Sequence, residues 1–292
     1  MTLVSLVVTT KNEEANIARC LTSVKRQTHR EIELIVVDNA SSDRTKVIAK
    51  SFTPHVFDLG PERSAQRNFG IMRSRGSIVL YLDADMILSP CVVAECVSLF
   101  DKHPETVALY IPEKIIGKGF WIKVRDHERS FYNGTVVDAV RAFRREAFDL
   151  ISGFDENLCG VEDWDFDLRM RGVGRTQMTQ APLFHNEEGF RLQNYLGKKS
   201  YYAQSFAEYR QKWGLNNPEI KKQFSPTYRY WGVFTEKWKF LNLLRHPLLT
   251  IAMFALRFLV GLRYLKAMRH EQVRPLNGGP SYQAKDTSKN SA

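Results

Sequence analysis

Asp83 and Asp85 stand one residue apart at the end of Ser77-Ile78-Val79-Leu80-Tyr81-Leu82-Asp83-Ala84-Asp85. Two carboxylates so spaced can share a hard divalent cation, and magnesium or manganese suits few carboxylates completed by phosphate oxygens. The simplest tenant is therefore a metal bound to a diphosphate; the plainer reading is an acidic turn, since Asp is a common turn former. A second acidic cluster follows, Gly153-Phe154-Asp155-Glu156-Asn157 and then Glu162-Asp163-Trp164-Asp165-Phe166-Asp167. There the plainer reading is a helix whose first turn carries acids for its dipole. His185, after the Pro-interrupted piece Ala181-Pro182-Leu183-Phe184, would by itself be structural more often than a ligand.

The elements that position these residues read as a parallel α/β sheet. Ile78 to Leu82 is a short apolar run suited to a strand buried on both faces, which delivers its acids at the carboxyl end, where open sheets bind ligands. The opening strand, Leu3 to Thr9, runs into Thr10-Lys11-Asn12-Glu13-Glu14, with Asn12 expected as a helix N-cap and both Glu in the first turn. Ile17, Leu21 and Val24 then recur at helical spacing. A second strand, Ile32 to Val37, ends at Asp38-Asn39, and Ala40 to Thr45 starts another helix. Gly60 to Gly70 feeds a helix through Arg63, Gln66, Arg67 and Asn68. The run from Glu162 and Asp163 to Gly172 predicts one more.

The 292 residues, 43% hydrophobic, can bury a full core, so one large domain with an appendage is expected. Cys20, Cys91, Cys96 and Cys159 form no CxxC pair and no zinc spacing, and are expected as reduced thiols. Met1 leads straight into strand-like sequence, with no basic leader or long apolar centre, so no signal peptide is expected. The net charge of +10 is uneven: residues 190 to 275 carry 16 Lys and Arg against 4 Asp and Glu, whereas residues 1 to 189 carry 24 against 27. This last third is also aromatic, from Tyr195 and Tyr209 through Tyr228, Tyr230, Trp231 and Trp238. An acidic membrane surface attracts such a segment, at about 1 kcal/mol per nearby cation. Leu248 to Leu265 contains Arg257 and Arg263, which makes it a fair interfacial helix and a poor span, although a single span over 248–265 stays open. Pro275 to Ala292 reads as a disordered tail.

Taken in order, Val7-Val8-Thr9-Thr10-Lys11-Asn12-Glu13-Glu14, Val36-Val37-Asp38-Asn39-Ala40-Ser41-Ser42-Asp43, Arg67-Asn68-Phe69-Gly70, Leu82-Asp83-Ala84-Asp85, Gly153-Phe154-Asp155-Glu156 and Glu162-Asp163-Trp164-Asp165 resemble the family 2 glycosyltransferases over roughly residues 3 to 190. The resemblance implies an α/β fold of GT-A type, a Rossmann-like, mostly parallel sheet flanked by helices, followed by a helical, basic and aromatic C-terminal extension. Together with the composition of the last third, it divides the chain into a catalytic domain over 1–190, with a nucleotide-sugar half to about residue 100 and an acceptor half beyond, an extension over 191–274 and the tail over 275–292. It also implies that Thr10, Glu13 and Asp38 line the base and ribose and that Arg67 meets the ribose or diphosphate. Asp83 would sit by ribose and metal, Asp85 would ligate the metal, His185 would complete the metal or diphosphate site, and Asp163 would be the general base. The cofactor is then Mn or Mg, and the donor a UDP- or GDP-sugar.

One base and no protein nucleophile imply a single in-line displacement that inverts the anomeric centre. The expected acceptor is a lipid-linked saccharide or glycan met at the cytoplasmic side of the cell membrane, by a peripheral or monotopic protein, with free polyprenyl phosphate as the alternative acceptor. Gly117 to Trp121 and Ser130 to Gly134 are candidate acceptor-side loops. Asn39-Ala40 stands where many relatives carry an acid and a glycine, which leaves base preference open. No Gln-x-x-Arg-Trp element occurs, so one sugar per encounter is expected. A nucleotidyltransferase or dinucleotide-dependent oxidoreductase would need a Gly-rich turn after the first strand, where Thr10-Lys11-Asn12-Glu13-Glu14 stands. No nucleic acid partner is expected. A non-catalytic, membrane-bound sugar-binding protein is the remaining alternative, disfavoured by the joint presence of Asp83, Asp85 and Asp163.

Overall fold

The computed structural model describes residues 1–202 and 205–271. The first half alternates strand and helix: β1 (Val4–Thr10), α1 (Ile17–Lys25), β2 (Ile32–Asp38), α2 (Thr45–Lys50), β3 (Val56–Asp58), α3 (Arg63–Met72), β4 (Ile78–Asp83) and β5 (Met86–Leu88). Then come α4 (Val92–Lys102), β6 (Thr106–Tyr110), β7 (Glu113–Ile116), α5 (Phe120–Ser130), β8 (Ala142–Arg144), α6 (Arg145–Leu150), α7 (Glu162–Val173), β9 (Arg175–Met178) and β10 (Leu183–Asn186). The rest is helical: α8 (Leu192–Tyr202), α9 (Phe206–Trp213), α10 (Pro218–Phe224), α11 (Val233–Thr235), α12 (Phe240–Arg245) and α13 (Pro247–Glu271).

Seven strands form one sheet in the order β3-β2-β1-β4-β8-β6-β9. Only β8 runs against its neighbours, so the sheet is mostly parallel, as expected. Residues alternate between its faces: Val4, Leu6 and Val8 of β1 join α1 and α4 on one side, and Val7 joins Ile71, Phe148 and Phe166 on the other. Each fully buried Val, Leu or Ile contributes about 1.5–3 kcal/mol, and both faces are covered. A second sheet, β5-β10-β7, lies beyond the carboxyl end of β4 and brings His185 beside the Asp83–Asp85 turn.

Helix α3 is pressed unusually close to the large sheet. A Cβ on Gly70 would fall 2.5 Å from Val7 Cγ1 and 3.0 Å from Val37 Cγ2. Gly70→Ala therefore overpacks this contact, at about 1–3 kcal/mol less the small helix preference of Ala. The expected result is a Tm lower by roughly 2–6 °C in calorimetry.

Two expectations are corrected. Asn12 does not cap α1, which begins five residues later with Asn16 at its cap position. Asn12 instead adopts φ 52°, a left-handed conformation Asn tolerates, and its Oδ1 accepts the Ser42 N–H at 2.9 Å while its own N–H donates to Ser41 Oγ at 2.7 Å. The loop after β1 is thus bonded to the loop after β2, and Glu13 N–H donates to Thr45 Oγ1 at 2.7 Å. The second correction concerns the span over 248–265: no described helix is long and apolar enough to cross a membrane. Arg257 turns inward to pair with Glu128 at 2.8 Å, beside Met253 and Leu256, which are also buried against α5 and its neighbours. The tail over 275–292 lies outside the described residues.

Candidate active site

One buried residue of α3 joins the end of β4 to the start of α7. Arg67 is wholly inaccessible, its guanidinium 4.5 Å from the Tyr81 ring centroid and 5.2 Å from that of Phe154. Nη2 donates to Asp83 Oδ1 at 3.1 Å and Nη1 to Asp163 Oδ1 at 2.7 Å, so the end of β4 and the start of α7 are held by opposite arms of one cation. The next residue, Asn68, fixes the segment leading to α7: its Oδ1 accepts the Phe154 N–H at 2.8 Å and its Nδ2 donates to Phe154 O at 2.9 Å. Gly153, with φ 72°, lies directly over that amide. The Arg67-Asn68 and Gly153-Phe154 motifs are therefore two sides of one contact.

Burial alone would raise the Asp163 carboxyl, but Arg67 and Arg141 outweigh it and hold the group below its ordinary range. Asp83 is treated the same way by Arg67, Arg63 and Arg141. Both carboxylates are ionised at neutral pH. Tyr81 OH lies 3.2 Å from Asp163 Oδ1, the same oxygen that Arg67 engages. Asp163 Oδ2 has no hydrogen-bond partner among the described residues, and the side chain keeps 26% of its surface. That oxygen is an unengaged acceptor.

Asp85 faces a different neighbour. Its Oδ2 lies 3.0 Å from His185 Nε2, its backbone O accepts the Asn186 N–H at 2.9 Å, and Oδ1 is buried without a partner. An orphaned carboxylate oxygen beside an imidazole nitrogen is a donor pair that fits a divalent cation. Burial would keep His185 neutral, yet its bonds to Asp85 and Glu113 outweigh burial and push it up to about 10, so a ring that gives Nε2 to a cation first releases the proton shared with Asp85. Among the described residues no group of three or more His, Cys, Asp and Glu is placed to hold an ion unaided. Ligand oxygens would have to complete the shell.

The remaining expected residues divide. Thr10 and Asp38 end adjacent strands in register, and Thr10 Oγ1 is buried without a partner. Asp38 is fully buried, its Oδ1 and Oδ2 accepting Ser41 N–H at 2.7 Å and Ser41 O–H at 2.5 Å, so a base edge would have to share or displace those donors. Glu13 Oε2 accepts from Asn16 Nδ2 at 2.7 Å. Arg67 departs from expectation, because a side chain with no accessible surface cannot meet ribose or diphosphate. Asp83 departs in part: Oδ1 already accepts from Arg67 and Thr9, and Oδ2 faces Arg63 at 3.8 Å, which leaves it poorly free to ligate a metal. Residues not singled out beforehand also belong here. Tyr81 looked like one more apolar member of its strand, and Glu113 was a single acid beside a proline with no spacing partner.

The sequence model of glycosyl transferase family 2 matches residues 5–154, half of the chain. The chain belongs to this family. The match ends before Asp163 and His185, whose positions are known here from geometry alone. Among curated relatives, a PGL/p-HBAD biosynthesis glycosyltransferase of Mycobacterium bovis BCG is 27% identical over 174 residues, covering 56% of this family 2 chain and 68% of the relative. Among solved structures, a mannosyltransferase from Pyrobaculum calidifontis in complex with GDP-Man and Mn2+ aligns with TM-score 0.61 and 18% identity, covering 92% of this chain and 86% of that one. The 1–349 portion of S. aureus TarS with UDP-GlcNAc aligns with TM-score 0.55 and 16% identity over 92% and 91% of the two chains. In a longer TarS structure the matched region is 54% of the molecule. At such identities these structures establish the GT-A fold.

Proposed function

We propose that this family 2 glycosyltransferase moves one sugar from a UDP- or GDP-sugar to an acceptor hydroxyl with inversion, Asp163 acting as the general base. The observation that carries this reading is the pairing of Asp83 and Asp163 on the single buried guanidinium of Arg67. It brings the carboxyl end of a central strand, where parallel sheets take their ligands, against an ionised carboxylate with one unengaged oxygen. Asp163 Oδ2 accepts the acceptor's proton as the hydroxyl attacks the anomeric carbon, and the rigid hold on Oδ1 fixes its direction. Thr10, Glu13 and Asp38 line the nucleoside end. Asp85 and His185 hold the divalent cation, which when bound stabilises the charge developing on the departing diphosphate. Asp83 orients the ribose side of the donor, and Arg67 positions both acids without touching substrate. The stereochemistry is tested by proton NMR of the product's anomeric signal. Inversion is expected; retention would exclude a single in-line displacement and with it this role for Asp163.

The acceptor is proposed to be membrane-linked, within envelope polysaccharide or glycolipid assembly. Support comes from α13, which buries Met253, Leu256 and Arg257 while Leu248, Ile251, Phe258 and Leu262 stay exposed along one stripe, and Leu244 and Trp238, earlier in the chain, are exposed as well. Such a stripe beside a basic, aromatic segment suits an anionic lipid surface. Truncating the chain before α13 would uncover the core that Met253 and Leu256 fill, so point substitution is the cleaner test. Leu248→Glu combined with Ile251→Glu is expected to leave the Tm within about 2 °C and to lower sedimentation with anionic vesicles at least ~10-fold. Unchanged sedimentation would contradict the docking.

A further inference from the structure

Behind His185 stands a group that the transfer reaction does not use directly. Glu113, the first residue of β7, is 7% exposed, and its Oε1 lies 3.0 Å from His185 Nδ1. In the parallel pairing of β10 with β7, His185 is opposite Ile115, which puts Glu113 two residues back on the same face. The other Glu113 oxygen accepts from Arg129 Nη2 at 3.2 Å and lies 3.8 Å from Arg141 Nη2. Arg129 is itself anchored by Asp138 at 2.9 Å, and Asp138 Oδ2 accepts the Gly134 N–H at 2.8 Å. A carboxylate so clamped has one orientation, and it accepts only.

We propose that Glu113 is a positioning residue for the cation site: it holds the His185 ring by Nδ1–H, so that Nε2, which lies 3.0 Å from Asp85 Oδ2, is the nitrogen presented to a cation beside that carboxylate. This rests on the reading of Asp85 and His185 as cation donors. The physical reason is that the two imidazole nitrogens are not equivalent: the partner of one fixes which proton stays and which nitrogen is free to donate. A carboxylate partner also raises the ring's strength as a donor, and its loss costs roughly 10–100-fold in metal affinity where the pattern has been measured. The competing role for Glu113 is only to tie β7 to α5 through Arg129. The two roles differ in whether the effect passes through His185.

A double-variant comparison separates them, using the full chain and Mn2+ binding followed by EPR, alone and with UDP or GDP, against blanks of nucleotide without protein. Glu113→Gln, which keeps shape and an acceptor oxygen but not the charge, is expected to weaken Mn2+ binding about 10–100-fold. It should raise the metal concentration for half-maximal turnover far more than it lowers kcat at saturating metal. In a His185→Ala background the same substitution is expected to change Mn2+ binding less than about twofold. Wild-type affinity in Glu113→Gln, or an equal loss in both backgrounds, overturns the proposal. If Glu113→Gln does not fold, 15N-histidine spectra of the wild type with Mg2+ and UDP or GDP decide, the His185 signal being identified by its loss in His185→Asn. A proton on Nδ1 and none on Nε2 is expected; the opposite tautomer, or a ring protonated on both nitrogens with cation bound, overturns it. Wild-type protein that takes up no Mn2+ with either nucleotide removes the cation reading itself, and this proposal with it.

Discussion

Asp163→Asn is expected to lower kcat by about 10²–10⁴-fold while leaving donor affinity within a few-fold of the wild type. The amide keeps the shape of the carboxylate and can still accept from Arg67, which retains Asp83 at 3.1 Å and Glu162 at 3.7 Å as charged partners, so the fold has no reason to yield. What is lost is the carboxylate oxygen left unengaged at that end of the site, Asp163 Oδ2. Glu162 cannot replace it. It is 2% exposed, which keeps it out of reach of an acceptor. Calorimetric titration of the donor beside steady-state rates makes the distinction. Wild-type turnover in Asp163→Asn would remove the assigned base, and lost donor binding would make the residue a binding group.

Arg67→Met should have the largest effect on stability. The thioether fills much of the volume between Tyr81 and Phe154 but leaves Asp83, Asp163 and Glu162 without the cation that faces all three. Removing one partner of a buried ion pair costs about 3–5 kcal/mol, and the Tm is expected to fall by on the order of 10 °C. The pH dependence fixes the cause. Asp83 and Asp163 have folded-state values depressed below the unfolded value of about 4, so their pairing with Arg67 contributes stability above that pH and loses it as pH falls through the depressed values. The gap in Tm between wild type and Arg67→Met should therefore be widest near pH 7 and shrink toward pH 3. A gap independent of pH would mean that Arg67 matters for packing and not for charge.

Much of this was legible in the sequence because it depends on local chemistry. An apolar run ended by acids predicts a buried strand with carboxylates at its ligand end, and β4 has that form. The helix begun at Glu162 and Asp163 is α7. What was not legible depends on which distant side chains meet. Arg67 lies on a helix with a polar face, and nothing in its spacing distinguishes a cation that reaches a ligand from one buried beneath it. Asn12 had the composition of a cap, but its side chain bonds to a loop thirty residues away. The apolar content of α13 suits a span, an interfacial helix or a packed one, and nothing in the sequence shows that Arg257 turns inward onto Glu128. Glu113 carries no signal of its own, since its importance comes from the register of β10 on β7.

The central claim is that one crevice, bounded by Asp83, Asp85 and Asp163, holds a nucleoside-diphosphate sugar together with a divalent cation. It is tested most directly by thermal melts of wild type and Asp85→Ala with a panel of UDP- and GDP-sugars, each with Mn2+ and with EDTA. Donor at 100 times its Kd stabilises by about 2.7 kcal/mol. The prediction is that one nucleotide series raises the wild-type Tm by several degrees with Mn2+, and that the shift largely disappears in EDTA and in Asp85→Ala. A panel in which no donor shifts the wild type, or in which the shift survives both chelation and the loss of Asp85, would contradict it.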